Sequence, residues 1–189
     1  MGADLETGII VAGSGGQGIL FLGKFLARAG MLECRNVTWF PSYGAEMRGG
    51  TASCTLILSD KMIGSPVILN PDILIAMNGA SIERFQPQLK KMGLLLFDSS
   101  LINGIALRDD IIPAGIPATK IADTAGDVKA ANMVMLGALI AATDILKKSS
   151  FDILFSFSLA PAKNKAEEIN KNAIMEGIKY LENKKSSNF

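Results

Sequence analysis

Two short stretches of this 189-residue chain hold the residue types from which chemistry can be built. Gly13, Ser14, Gly15, Gly16, Gln17 and Gly18 spell GxGxxG directly after an apolar, β-branched run and ahead of an apolar repeat at helical spacing. Glycines in that setting permit a tight turn. They also let main-chain N–H groups approach a phosphate, which the following helix N-terminus favours electrostatically. The same spacing equally serves as a plain packing turn that binds nothing. The second stretch is FPSYGAEMRGG, residues 40–50. Its Arg48 carries a planar fork suited to a carboxylate or phosphate, and Gly49 and Gly50 let a backbone come close. Glu46 can pair with a cation or hydrogen-bond across an interface, and Tyr43 offers a packing ring with a polar tip. In the plainer alternative Glu46 and Arg48 form a local surface pair and the glycines make a turn. Asn78 ends the apolar run DILIAM, where ligands bind in open α/β sheets and where an asparagine also caps a following helix.

Other chemistries are excluded by what the chain lacks. It has no histidine, so the commonest neutral-pH proton shuttle and transition-metal ligand are missing. Cys34 and Cys54 stand twenty positions apart with no second thiol near either, which defeats zinc, CxxC and iron–sulfur spacing. Both read as small buried hydrophobes, and no metal site is expected. A dinucleotide fingerprint needs a carboxylate at the end of the second strand, where the chain has Trp39, Phe40 and Pro41. Gly18 to Lys24 has Walker spacing, but Phe25 stands where a magnesium-binding hydroxyl belongs, within a helical pattern. The net charge of +1, with both signs interspersed, argues against nucleic acid and anionic membrane as partners. MGADLETG is no secretory leader, so a cytoplasmic location is expected.

These residues need a scaffold, and the periodicity supplies one. GIIVAG (8–13) reads as a strand, the segment from Gln17 as a helix with Ile19, Leu22, Phe25, Leu26 and Ala29 on one stripe, and NVTWF as a second strand. TASCTLILSDKMIGSPVIL predicts a hairpin turning at Ser59, Asp60 and Lys61. DILIAM (72–77) and GLLLFD (93–98) are buried strands around a helix near Ser81 to Lys91. Met133 to Leu146 is a helix apolar on more than one side. Asp144 interrupts it and it falls short of the roughly 20 residues of a membrane span. Either it lies at the domain centre or a partner chain covers it. A last amphipathic helix carries Ala166, Ile169, Ala173, Met175, Ile178 and Leu181 as its packing stripe. The expected architecture is a single α/β domain over 1–185 with a short tail, 186–189. Its sheet is Rossmann-like, open, mostly parallel but mixed, with helices on both faces.

Taken jointly, GSGGQG, VTWFPSYGAEMRGGTASCTLILSD, IGSP and NPDILIAMN resemble the gamma subunit of 2-oxoacid:ferredoxin oxidoreductases. The 2-oxoglutarate and branched-chain members are the most similar. The resemblance is dense over Gly8 to Phe97 and loose beyond. Indolepyruvate enzymes share a comparable glycine loop and Arg-Gly-Gly, but PSYGAEM before Arg48 is closer to the 2-oxoglutarate type. This likeness implies a chain inactive alone that assembles with alpha, beta and small ferredoxin-like delta subunits. In that family thiamine diphosphate with Mg2+ lies between other chains and adds to the keto carbon. Carbon dioxide leaves, electrons pass through iron–sulfur clusters to ferredoxin or flavodoxin, and coenzyme A takes the acyl group. The likeness implies that the loop holding Tyr43, Glu46, Arg48, Gly49 and Gly50 faces neighbouring subunits near the cofactor or coenzyme A. For the glycine loop, the N–H groups of Ser14 to Gly18 are expected to receive a coenzyme A phosphate. A stand-alone nucleotide-binding α/β protein and a purely structural scaffold subunit remain the alternatives.

Overall fold

Ile9, Ile10 and Val11 are adjacent and β-branched, which stiffens the extended backbone and makes both faces of a strand apolar. They form the middle of β1 (Glu6–Ser14), buried from Thr7 to Gly13. The computed structural model describes residues 6–42, 51–147, 149–151, 153 and 165–186. Around β1 stand β2 (Asn36–Ser42), β3 (Thr51–Ser59), β4 (Ile73–Ala76), β5 (Leu94–Asp98) and β6 (Ile112–Ile116), in the order β2-β3-β1-β4-β5-β6. β4 pairs parallel to β1, β5 to β4 and β6 to β5. β3 alone is reversed, antiparallel to both β1 and β2, so the sheet is open, mixed and mostly parallel, as expected.

Alternation along the strands sorts two cores. Ile9, Val11, Ile73, Ile75, Leu96, Cys54, Leu56 and Leu58 point to one face. Ile10, Ala12, Leu74, Ala76 and Leu95 point to the other. The first face is covered by α1 (Ile19–Leu32), α3 (Ala118–Ala125), α4 (Ala131–Ala142) and α5 (Lys165–Ser186). On the second lies α2 (Gly79–Phe85), through Ile82 and Phe85. Helices thus occupy both faces, unequally. Helix α1 seats directly on β2 and β3 because Gly23 and Gly30 share its inner side: a Cβ on Gly23 would overlap Cys54 Sγ, and one on Gly30 would lie 2.6 Å from Leu58 Cδ2.

Of the two covers open for the apolar helix, the chain supplies its own. Every residue of α4 from Ala131 to Leu139 is buried, and α5 crosses it at backbone contact. Gly137 faces the Ile174 carbonyl and Gly177 faces that of Val134, with no room for a Cβ on either. Among the described residues no helix is long and apolar enough to cross a membrane.

Several expectations are corrected. The hairpin at Ser59–Lys61 does not form. Ser59 ends β3, and no strand follows until β4, because Gly64 and Pro66 break the run and β3 finds its partners in β1 and β2. β2 is consequently not β1's neighbour. The helix expected to Lys91 ends at Phe85 and tightens into a 3-10 turn over Gln86–Gln88, where Pro87 offers no N–H. The apolar helix stops at Ala142, before Asp144, with Thr143 extended. On α5, Ala166 and Met175 face solvent and Ile174 takes the buried place. Ser186 still belongs to that helix, one residue into the expected tail.

Candidate functional site

The carboxyl ends of the parallel strands gather the sequence candidates at one edge. β1 delivers Gly13 and Ser14 there, β4 delivers Asn78, and Thr51 at the start of β3 pairs with Ser14. This is the topological switch point, since the chain leaves β1 toward β2 on one side and returns as β4 on the other.

The glycine turn is held in a defined shape from within. Gln17 folds back so that its Oε1 accepts the Ser14 N–H at 2.6 Å, while its Nε2 donates to Met77 O at 3.0 Å. The Gln17 N–H donates to Ser14 O at 3.2 Å. Asn78 Nδ2 donates to Ser14 Oγ at 2.7 Å, and its Oδ1 accepts from both the N–H (2.9 Å) and the hydroxyl (2.6 Å) of Ser81. Asn78 is therefore the N-cap of α2, the capping role among its two, and it also ties β4 to the turn. Asn132, buried at the start of α4, donates to Gly18 O at 3.1 Å. The composition of the loop alone did not disclose Gln17 as a brace or Asn132 as a clamp. A short polar residue opening an apolar helix was the available signal for the latter.

The glycines divide by what surrounds them. A Cβ at Gly13 would stand 2.6 Å from Ile19 Cδ1 and 2.8 Å from Met77 Cβ, so close packing demands glycine. Gly16 (φ 88°) and Gly18 (φ 69°) sit in the left-handed region. Gly15 has no such φ, and a Cβ on it would meet nothing within 4 Å. No internal contact explains it. The N–H groups of Gly15, Gly16 and Gly18 have no acceptor among the described residues, and α1 begins with no capping side chain and no acidic residue in its first turn. These donors and the positive end of the helix dipole thus lie on one short stretch of chain, Gly15 to Ile19.

Beside the turn runs a cleft of about 320 Å³ bordered by Gly16, Gly18, Lys129, Asn132 and Asn170, with Asp127 at its rim. Asp98, buried at the end of β5, accepts from Ser100 N (3.0 Å) and Thr119 N (3.2 Å) and from the Thr119 hydroxyl, shaping the neighbouring loop. Tyr43, Glu46, Arg48, Gly49 and Gly50 lie outside the described residues. Their flanks, Ser42 and Thr51, stand at this same edge. Among the described residues no three His, Cys, Asp or Glu side chains cluster as a metal site. The arrangement suits an anion met by main-chain donors rather than bond-making by side chains.

A family model described as pyruvate ferredoxin/flavodoxin oxidoreductase matches residues 8–180. The chain is 37% identical over 178 residues to the ketoisovalerate oxidoreductase subunit VorA of Methanothermobacter thermautotrophicus, covering 93% of this chain and 36% of that one. It therefore spans about a third of the length of that relative. With the 2-oxoglutarate synthase subunit KorC of the same organism it shares 32% identity over 185 residues, covering 92% of this chain and 98% of the relative. The solved gamma subunit of a keto/oxoacid ferredoxin oxidoreductase from Geobacter sulfurreducens superposes with a TM-score of 0.80 at 26% identity, over 94% of this chain and 97% of that one.

Proposed function

The chain belongs to the pyruvate ferredoxin/flavodoxin oxidoreductase family, and from that premise we propose that it serves as the gamma subunit of a multi-subunit 2-oxoacid oxidoreductase, inactive alone. The complex would decarboxylate a 2-oxoacid oxidatively to its acyl-CoA and pass the electrons to ferredoxin or flavodoxin. Ketoisovalerate and 2-oxoglutarate are the acids in the relatives' names; the nearly end-to-end match to the 2-oxoglutarate subunit favours the latter. Alpha, beta and delta subunits complete the assembly, in the cytoplasm. Thiamine diphosphate with its Mg2+ and the iron–sulfur clusters are assigned to those chains, since two cysteines are too few for a four-thiolate cluster.

The contribution of this chain is to hold coenzyme A. One observation carries that reading: three N–H groups with no acceptor among the described residues, at an uncapped helix start, with open space at Gly15 and Gly16. A phosphate fits this geometry and needs no ribose carboxylate, which the end of β2 does not provide. Arg48 supplies the second, bidentate grip on phosphate or carboxylate, with Gly49 and Gly50 allowing close approach and Glu46 and Tyr43 meeting the neighbouring subunit.

The test is Gly15→Val in the assembled enzyme, purified anaerobically. Gly15 has open space around it, so subunit stoichiometry and the melting temperature should hold. The KM for coenzyme A should rise about tenfold or more, because the isopropyl group holds the phosphate off the main-chain donors and costs at least one charge-assisted hydrogen bond. Reduced assembly, with an unchanged coenzyme A KM in the complex that still forms, would make the loop an interface element and overturn the coenzyme A assignment.

A further inference from the structure

Opposite the glycine turn, at the amino edge of the parallel strands, a thirteen-residue connection runs from Asp60 to Asp72 between β3 and β4. Segments of that length without secondary structure are uncommon in compact domains and are usually functional. This one is anchored at both ends and along its inner side. Asp60 meets the Arg35 guanidinium at 3.0 Å, and Asp72 accepts the Gly8 N–H at 2.8 Å and pairs with Lys90 at 2.7 Å. Ile68 packs against the start of β1 at Gly8. Its outer side is apolar and in water: Met62 is 90% exposed, Val67 67% and Leu69 75%. Met92, on the turn into β5 at the same edge, is 71% exposed. From Met62 to Pro71 there is no charged residue, and no main-chain hydrogen bond ties residues 62–70 to the sheet among the described residues. Large apolar side chains this exposed, on an uncharged segment at one edge of the sheet, mark a contact surface.

We propose that this strap, residues 62–70 with Met92, is the docking surface for the chain that corresponds to the remaining two-thirds of the ketoisovalerate relative. The proposal rests on the gamma-subunit reading above. In that relative the region matching this chain is only 36% of one polypeptide, whereas the 2-oxoglutarate relative is matched over 98% of its length. The same fold thus occurs as part of a longer chain and as a chain of its own. What the longer chain covers from within, the separate chain must present to a partner. The strap calls for a partner surface that is itself uncharged and apolar, to cover Val67 and Leu69. The carboxyl edge stays open for coenzyme A.

The decisive experiment tags the full chain in its own cells and compares wild type with Val67→Asp/Leu69→Asp after anaerobic purification, identifying the co-purified chains by mass spectrometry. Wild type should bring down the oxidoreductase subunits. The double variant should lose them at least tenfold, while its isolated chain melts at the wild-type temperature. Should the aspartates lower the melt, Leu69→Gln with Val67→Thr repeats the comparison at smaller cost. Unchanged recovery of those subunits by a folded variant would overturn the proposal. So would a homodimer of the wild-type chain that the variant dissolves, since the strap would then meet a second copy. A wild type that recovers no oxidoreductase subunit would overturn the gamma-subunit reading itself, and the strap assignment with it.

Discussion

At the scale of single residues, the chain separates groups that look alike in the sequence. Cys34 is exposed, in a left-handed conformation after α1, while Cys54 is fully buried beneath α1 with its Sγ 3.7 Å from Ile19 O. Burial pushes the Cys54 thiol up to about 11, against a weaker opposing hydrogen bond with Trp39. Iodoacetamide at mildly alkaline pH should therefore modify the native chain once, at Cys34, and twice after unfolding; peptide mapping reads the difference. Arg108 is a second case. Its Nη1 donates to the carbonyls of Gln86 (2.9 Å) and Leu89 (2.7 Å), while Nε and Nη2 form a two-pronged contact with Asp110 at 2.8 and 2.7 Å. The hydrogen bonds from Arg108 hold the Asp110 carboxyl below its ordinary 3.8, with burial opposing and the guanidinium charge assisting. A depressed carboxyl stabilises the fold above its unfolded pKa, and that contribution is lost as pH falls through the lowered value. Asp110→Asn should thus melt earlier than wild type at neutral pH, and the gap should close as the solution is taken below 3.8.

At the scale of elements, the contact that organises the helical layer is the crossing of α4 and α5 at Gly137 and Gly177. Each glycine faces backbone of the other helix, so a methyl group there cannot be absorbed by a rotamer change. Gly177→Ala should destabilise the fold by about 2–3 kcal/mol, the range of overpacking in a tight core, measurable as a shift in the urea midpoint. An alanine on the exposed side of the same helix, at Glu176, should cost little. The turn from β1 into α1 shows the same contrast within one motif. Gly13 is enclosed by Ile19 and Met77, whereas Gly15 stands open, so packing accounts for the first and no contact among the described residues accounts for the second.

At the scale of the whole molecule, local periodicity made most elements legible and left their arrangement partly hidden. β1, β4 and β5 announce themselves through runs such as IIVA, ILIA and LLLF, buried on both faces. β6 escaped because IPAGI carries a proline and a glycine, which an edge strand tolerates and an alternation search rejects. The short helix α3 follows it unflagged, beginning after Pro117. The place of β3 was not legible because its partners are set by distant pairing, Ile9 with Leu56 and Trp39 with Leu56, rather than by the turn residues beside it. At the site, the glycine spacing and Asn78 stood out, while the Gln17 brace depends on where Met77 lies in space and has no trace along the chain.

The reversed β3 also sets a timetable for synthesis. β1, α1 and β2 have been synthesised by residue 42, yet β1 and β2 are not neighbours in the sheet, and neither has its shared neighbour until Thr51–Ser59 follows. β1's other neighbour, Ile73–Ala76, emerges later still. At translation rates of about 5–20 residues per second, the strand of Ile9, Ile10 and Val11 waits a few seconds unpaired on both sides. The central strand therefore stays without a neighbour until β3 and β4 follow, and the sheet then grows outward through β5 and β6.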